Sequence, residues 1–187
     1  SDLWVLSMDG EKKSEVLGAT PFDETHAQIS PDGKWIAYTS DLSGRKEVYV
    51  QPFPTGTGRW QISPEARPDT QTYGGDWPRW QHDGKALFYH ALGGVTTGTY
   101  GNTRAIYGPI YSVTVTATAT SFENSTPTEV IRVLAIRIPH PGSDYHTYAV
   151  STDGQKFLVF QRVIDSGAST ATQVLPDHPQ PGLMAAI

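Results

Sequence analysis

The sequence predicts an all-β protein, a partial β-propeller of about 3.5 four-stranded antiparallel blades. The first observation is an internal repeat, because Asp-Gly pairs recur at Asp32-Gly33, Asp83-Gly84 and Asp153-Gly154, each followed by a strand that is apolar at nearly every position. The second is composition: 18 Gly and 14 Pro favour turns between short strands. The third is that no window has the spacing of an amphipathic helix.

The strands of one repeat unit follow a fixed order along the chain. In the first full unit, strand A precedes the Asp-Gly turn, and strands B, C and D fall at residues 36–38, 48–51 and 60–62. Segments 3–6 and 110–113 repeat the pattern of strand C, in which an apolar residue is followed by an aromatic one. Segments 15–17 and 129–131 match strand D. Four antiparallel strands in tandem units are typical of propeller blades.

These units divide the single domain, residues 1–187, into blades. Strands C and D of one blade lie in residues 1–20, full blades span 27–63 and 77–133, and a last blade spans 145–187. Propellers usually close with at least four blades, and an open half-ring leaves apolar blade faces bare to water. We therefore expect either a longer native protein, of which this is a fragment, or a homodimer that closes a ring of six or seven blades.

The second full unit carries an insertion between strands B and C, within residues 93–105. In an antiparallel meander, the B–C loops and the loops between blades share one end of the blades, which we call the long-loop face. Long loops on a rigid scaffold favour binding, so this face is the predicted site for a protein or small-molecule ligand. The candidate binding residues are Tyr73, Asp76, His90, Tyr100, Asn102, Arg104, His140, Asp144, Tyr145 and His146.

Charge and composition narrow the classes of partner. A net charge of −5 with scattered basic residues argues against nucleic acid or an anionic membrane surface. No apolar run approaches the roughly 20 residues of a transmembrane helix. The absence of Cys excludes disulfides, thiolate catalysis and Cys-based zinc sites, and it is compatible with an extracytoplasmic location.

Motifs of catalysis are missing from the sequence. Neither a Gly-x-Ser-x-Gly elbow nor a Walker, dinucleotide-binding or His-Glu-x-x-His pattern occurs. We predict no catalytic residue, no cofactor and no metal site. The alternative is a metal-dependent polysaccharide lyase or hydrolase, in which His90, His140 and His146 hold the ion, although their spacing is not diagnostic.

The stretch Ser-Pro-Asp-Gly-Lys-Trp-Ile-Ala-Tyr-Thr-Ser at residues 30–40, with Glu-Val-Tyr-Val at 47–50, resembles the repeat of TolB-type, WD-repeat-like propellers. Its later copies are weaker, because His82 and Thr152 stand where the repeat has Pro. The order of the last two units also resembles the C-terminal propeller region of some bacterial serine/threonine kinases, although no kinase signature occurs here.

The resemblance covers most of the chain and is specific for fold rather than activity. It implies a non-catalytic binding or protein-interaction module, the sensor or scaffold portion of a larger bacterial protein in the periplasm or another extracytoplasmic compartment. An accessory propeller of a serine peptidase is a further alternative.

Overall fold

The computed structural model describes residues 1–10, 12–17, 20–64, 73–92, 99–100, 103–118, 121–137 and 148–159. Within these ranges the chain forms fourteen β-strands and no helix, which confirms the all-β prediction. The described residues accordingly contain no helix of the length and apolarity needed to span a membrane.

Four consecutive strands form the first blade, a meander in which each strand is antiparallel to the next. Ahead of it in the chain lies a two-stranded antiparallel hairpin, the N-hairpin. The hairpin strands are β1 (Trp4–Leu6) and β2 (Ser14–Val16), and the blade strands are β3 (Glu24–Ile29), β4 (Trp35–Ser40), β5 (Glu47–Pro52) and β6 (Trp60–Gln61).

The second blade contains six strands in the path β7-β8-β10-β11, with β9 and β12 also paired to β10. After it comes another two-stranded hairpin, the A/B-hairpin. The blade strands are β7 (Tyr73–Trp80), β8 (Ala86–Leu92), β9 (Thr99–Tyr100), β10 (Thr103–Ala117), β11 (Phe122–Asn124) and β12 (Thr128–Arg137), and the hairpin strands are β13 (Tyr148–Val150) and β14 (Phe157–Val159).

Three apolar layers hold these four units in a stack. The layer between the two blades includes Trp35, Val50, Leu87 and Tyr89. The opposite face of the first blade packs Ile36, Tyr38 and Tyr49 against Leu3 and Leu17 of the N-hairpin segment, and Phe88, Ile110 and Tyr148 join the second blade to the A/B-hairpin. Each blade is therefore buried on both faces, which explains why strand β4 is buried at every residue instead of alternating.

The two blades approach each other closely at Gly75. A Cβ atom at this position would lie 3.0 Å from Cβ of Ser63 and 3.1 Å from Cγ2 of Val48, which both belong to the first blade. Any larger side chain would have to push the first blade away from the second, so this glycine is required by packing.

The Asp-Gly turns have the geometry that the sequence predicts, because Gly33, Gly84 and Gly154 have φ values of 71°, 72° and 71°. In the first turn, the Ser30 hydroxyl donates to Asp32 Oδ1 at 2.6 Å and accepts from the Trp35 backbone N–H at 2.9 Å. Ser151 makes the same two bonds in the third turn, to Asp153 and Lys156. The second turn has Gln81 in this place and keeps the backbone bonds, from Gly84 N to Gln81 O and from Gln81 N to Ala86 O.

The insertion predicted as a B–C loop is partly strand. Residues 99–100 and 103–105 belong to β9 and β10, and the prediction that all of 93–105 is a loop is wrong for them. The reason is that β10 is 15 residues long and pairs with β8 only at Ile110 to Thr114, which leaves its first half to pair with β9 and β12.

We expect Ser30→Ala to lower the free energy of unfolding by about 1–2 kcal/mol, because the buried Trp35 N–H loses its acceptor. Ser43→Ala removes an exposed hydroxyl that donates to Arg45 O, and it should cost no more than about 0.5 kcal/mol. Urea denaturation of the two variants measures the difference. Equal losses would show that the Ser30 hydroxyl does not stabilise the turn.

Candidate functional site

The A strands of both blades are interrupted by β-bulges at matching places. The registers β3–β4 and β7–β8 shift between Thr25 and Gln28 and between Asp76 and Arg79. Inside these bulges His26 and Trp77 take positive φ values of 54° and 52°, which non-glycine residues rarely adopt. Each bulge residue lies four positions before its turn residue, Ser30 or Gln81, so the bulge is part of the repeat.

The bulges bring a buried carboxylate, Asp76, to the contact between the blades. Its Oδ1 lies 2.6 Å from His26 Nδ1 and 2.8 Å from the Thr39 hydroxyl, and it accepts the backbone N–H of Trp77 at 2.9 Å. Lys46 Nζ lies 3.4 Å from Oδ2. His26 and Thr39 belong to the first blade and Asp76 to the second, so these bonds cross the blade interface.

The charge state of Asp76 follows from these contacts. Burial alone would raise the pKa of Asp76, but the hydrogen bond and charge of His26, the charge of Lys46 and the Thr39 hydroxyl outweigh it and hold the pKa below its ordinary value. An ionised carboxylate only accepts hydrogen bonds, so His26 Nδ1 carries the proton that it shares with Asp76.

A second buried imidazole, His90, lies beside this cluster. Its Nε2 is 3.2 Å from the Gly108 carbonyl oxygen. The Trp77 ring contacts both imidazoles, with its centroid 5.1 Å from that of His26 and 5.9 Å from that of His90. Burial lowers the pKa of His90, although the Gly108 carbonyl and the charge of Asp76 oppose this. His90 is therefore a neutral ring that carries its proton on Nε2 and donates it to the Gly108 carbonyl oxygen of β10.

Burial limits the chemistry that the Asp76 cluster can perform. An Asp–His pair orients the base in hydrolytic triads, but here the His26 and Asp76 side chains are only 4% and 3% exposed. No group of three or more His, Cys, Asp or Glu side chains is arranged to hold a metal ion in the described part of the chain. The contacts of Asp76 serve to fix the two blades relative to each other.

The structure places five of the predicted binding residues, and they fall into two groups. Asp76 and His90 are cross-strand neighbours in β7 and β8 and are buried, so the expectation that they are exposed loop residues is wrong. The start of β7 is already paired to β8, which draws both side chains into the interface. Tyr73 begins β7, Tyr100 ends β9, and Arg104 lies in β10 opposite Arg137.

The remaining candidates, Asn102, His140, Asp144, Tyr145 and His146, lie outside the described residues. The metal-dependent lyase or hydrolase alternative depends on His140 and His146 and stays a prediction. Sequence reasoning missed His26, Thr39 and Lys46 as partners of Asp76. The available signal was the repeat itself, since His26 and Trp77 hold the same place in consecutive units.

One feature of the long-loop face distinguishes the second blade from the first. Continuing the β8–β10 register from the His90–Ile110 pair puts Leu92, the last residue of β8, opposite Gly108. Residues 103–107 of β10 extend beyond this point. Residues 104–107 pair with residues 134–137 of β12, and β9 pairs with residues 103–104 at the far end. We call this extension, made of residues 103–107 and their partners in β9 and β12, the β-arm. This β-arm is about 15 Å long at 3.3 Å per residue. In the first blade, β4 and β5 pair along their whole length and have no such extension.

The comparisons with known proteins show the fold. No family model and no curated protein sequence matches this chain. A solved structure described as putative TolB from Agrobacterium tumefaciens is 15% identical, with a TM-score of 0.51 over 71% of this chain and 42% of that one. TolB from Acinetobacter baumannii is 21% identical, with a TM-score of 0.44 over 89% of this chain and 44% of that one.

The described sheets and the first of these similarities establish a partial β-propeller with a TolB-like fold. This confirms the fold class that the Asp-Gly repeat predicts. The chain spans less than half the length of either TolB structure.

We expect Asp76→Asn to destabilise the protein by about 3 kcal/mol at pH 7, because the variant lacks the buried carboxylate that accepts hydrogen bonds from His26, Thr39 and the Trp77 backbone N–H. The exposed Asp9→Asn is the matched control and should change stability by less than about 0.5 kcal/mol. Chemical denaturation at pH 7 measures both.

The stability difference between wild type and Asp76→Asn depends on pH. The pKa of Asp76 is lower in the folded state than in the unfolded state. The charge of Asp76 therefore stabilises the fold at pH values above the unfolded pKa, and this stabilisation is lost as the pH falls through the folded pKa. The difference between wild type and Asp76→Asn should therefore shrink as the pH is lowered below about 3.8, the ordinary value. A difference that is constant from pH 7 to pH 3 would show that the carboxylate charge is not what stabilises the interface.

Proposed function

We propose that this chain is a non-catalytic β-propeller module that binds a protein or a small-molecule ligand through its long-loop face. The observation that supports this most directly is the β-arm, which extends the second blade by about 15 Å on that face and has no counterpart in the first blade. Blade repeats need only short B–C turns, such as residues 41–46, so an extension of this kind serves something other than the fold.

The base of the β-arm is held rigidly, which suits a binding surface. Gly108, where the arm leaves the blade, accepts a hydrogen bond from His90, and a Cβ at Gly108 would lie 2.4 Å from the Ala91 carbonyl oxygen. Asp76 is the cross-strand neighbour of His90 and is bonded to the first blade. The arm therefore keeps a fixed direction relative to both blades, and binding there would require little ordering of its base.

A non-catalytic role agrees with the burial of the Asp76–His26 pair, which keeps this pair away from any substrate in solution. We further infer that the module is the sensor or scaffold portion of a larger bacterial protein in the periplasm or another extracytoplasmic compartment. The two similar solved structures come from bacteria, and a chain without Cys is compatible with such a compartment.

We expect a variant in which residues 93–105 are replaced by a two-residue Asn-Gly turn to lose partner binding while its thermal unfolding midpoint stays within a few degrees of wild type. The matched control replaces residues 8–12 with the same dipeptide, because the turn of the N-hairpin lies at the other end of the blades.

Each protein is immobilised and exposed to a periplasmic extract of a source bacterium, and bound proteins are compared quantitatively by mass spectrometry. The proposal requires a partner that wild type and control retain at equal levels and that the arm variant loses. That partner, once purified, should bind wild type at least about tenfold more tightly than the arm variant. Equal binding by all three proteins would contradict the proposal.

A further inference from the structure

We propose that the β-arm recognises an acidic protein segment, and that a carboxylate of this segment binds at the pair formed by Arg104 and Arg137. The proposal rests on the proposed function, because it names the chemistry of the partner that the arm binds. The observation that carries it is the position of the two arginines, directly opposite each other in the register of β10 and β12.

Arg104 and Arg137 form the cross-strand pair of β10 and β12 that is furthest from the blade. Directly opposed residues of antiparallel strands lie on the same face of a sheet, with Cβ atoms about 4.5–5.5 Å apart. On its other side Arg104 pairs with Thr99 of β9. One row across the three strands of the arm therefore holds two arginines and a threonine.

This pair of like charges is unfavourable for the fold by itself, because like charges directly opposite each other destabilise a sheet. No Asp or Glu occurs in β9, in β10 or in residues 130–137 of β12. The acidic residue of β12, Glu129, forms an ion pair with Arg132. A bound anion would remove the repulsion between Arg104 and Arg137, so binding and the relief of this repulsion act together.

The arm belongs to a part of the sequence from which acidic residues are missing. Residues 84–122 and 130–143 contain four Lys or Arg and no Asp or Glu, a formal charge of +4. The rest of the chain contains the other 10 basic residues and all 19 acidic residues, a formal charge of −9. The β-arm is thus a positively charged element of a negatively charged protein.

The local charge and the overall charge together define the class of partner. The guanidinium group of arginine matches the geometry of a carboxylate or a phosphate with two parallel hydrogen bonds. A polyanion such as nucleic acid or an anionic membrane is repelled by the negative remainder of the chain. A protein segment with one or two Asp or Glu residues brings its negative charge to the arm alone, and this charge distribution therefore favours it.

The next row on the same face of the arm is uncharged. Residues two apart on a strand share a face, and the residue two positions after Arg104, Ile106, pairs with Ala135. Arg132 is five positions from Arg137 and belongs to the opposite face. The arginine pair is therefore the charged feature of its face of the arm, which suits the recognition of a single carboxylate.

Fluorescence anisotropy with a defined probe tests this site. The probe is a fluorescein-labelled peptide in which Glu alternates with Ser, and the matched peptide has Gln in place of every Glu. Wild type should bind the Glu peptide at least about tenfold more tightly than the Gln peptide, because only the first offers carboxylates. The double variant Arg104→Gln, Arg137→Gln should lose this preference.

The matched control is the double variant Lys85→Gln, Arg132→Gln. It removes the same amount of positive charge from the same part of the sequence, but Lys85 lies in the second Asp-Gly turn and Arg132 on the other face of β12. The control should keep the full preference for the Glu peptide. Equal losses in the two double variants would show that net charge, and not the arginine pair, attracts the peptide.

The single variant Arg104→Gln separates binding from a structural role. Because it removes a repulsion, it should raise the thermal unfolding midpoint by about 1 °C while it weakens binding of the Glu peptide by about tenfold. A lower midpoint with unchanged binding would show that the pair supports the fold and does not bind the carboxylate.

Two further results with the probe would overturn the proposal. Equal binding of the Glu and Gln peptides by wild type would show that the arm does not select carboxylates. Displacement of the Glu peptide by inorganic phosphate at a lower concentration than by acetate would show that the site prefers phosphate.

The extract experiment distinguishes this inference from the proposed function. A partner that is lost when residues 93–105 are replaced, but retained by Arg104→Gln, Arg137→Gln, would overturn this inference and leave the proposed function standing. A partner that is retained when residues 93–105 are replaced would contradict the proposed function itself.

Discussion

The contact between the first and second blades is the interaction on which the rest of this structure depends. Its apolar layer runs from Trp35 and Val50 on one sheet to Leu87 and Tyr89 on the other, and it closes tightly because Gly75 has no side chain. A two-stranded hairpin is marginal by itself in water, so the N-hairpin and the A/B-hairpin are ordered by packing on the outer faces of these two blades. Both hairpins are therefore stabilised by the first and second blades on which they pack.

Apolar packing alone is non-directional and would allow the blades to slide. Asp76 supplies direction, because its hydrogen bonds from His26 and Thr39 are satisfied in only one relative position of the sheets. Burying the charge of Asp76 costs desolvation free energy, and its effect here is to specify one relative position of the two blades. The bulges at His26 and Trp77 are the backbone distortions that make this contact geometrically available.

The position of the polar cluster links this stability to the long-loop face. Lys46, in the B–C turn of the first blade, reaches Asp76, and His90 reaches Gly108 at the base of the β-arm. The same set of contacts thus fixes the blades and orients the surface on which we place binding. A protein that recognises a partner through a projecting ribbon gains affinity when that ribbon is pre-oriented.

Much of the fold was predictable from sequence because it depends on local chemistry that repeats. Asp32-Gly33 and its two copies specify hairpins through positive φ at Gly, and runs such as residues 36–38 specify strands covered on both faces. The Asp76 cluster was not predictable in the same way. His26 and Asp76 are 50 residues apart, and nothing local in either segment signals a bulge with a positive φ at His26 or Trp77. The length of β10 was also missed, because Gly108 and Pro109 within it suggest a turn until the pairing with β12 is known.

Native-state hydrogen exchange tests most directly whether the two blades form one cooperative unit. We predict that the slowest amides of β4, β5 and β8 exchange with a single, common free energy of opening, while those of β1 and β14 open at lower free energies because each hairpin packs on one face only. A first blade whose amides exchange at a free energy clearly different from that of the second blade would contradict it. That result would mean that the blades are separately stable and that their contact, with Asp76 at its edge, does not determine the structure.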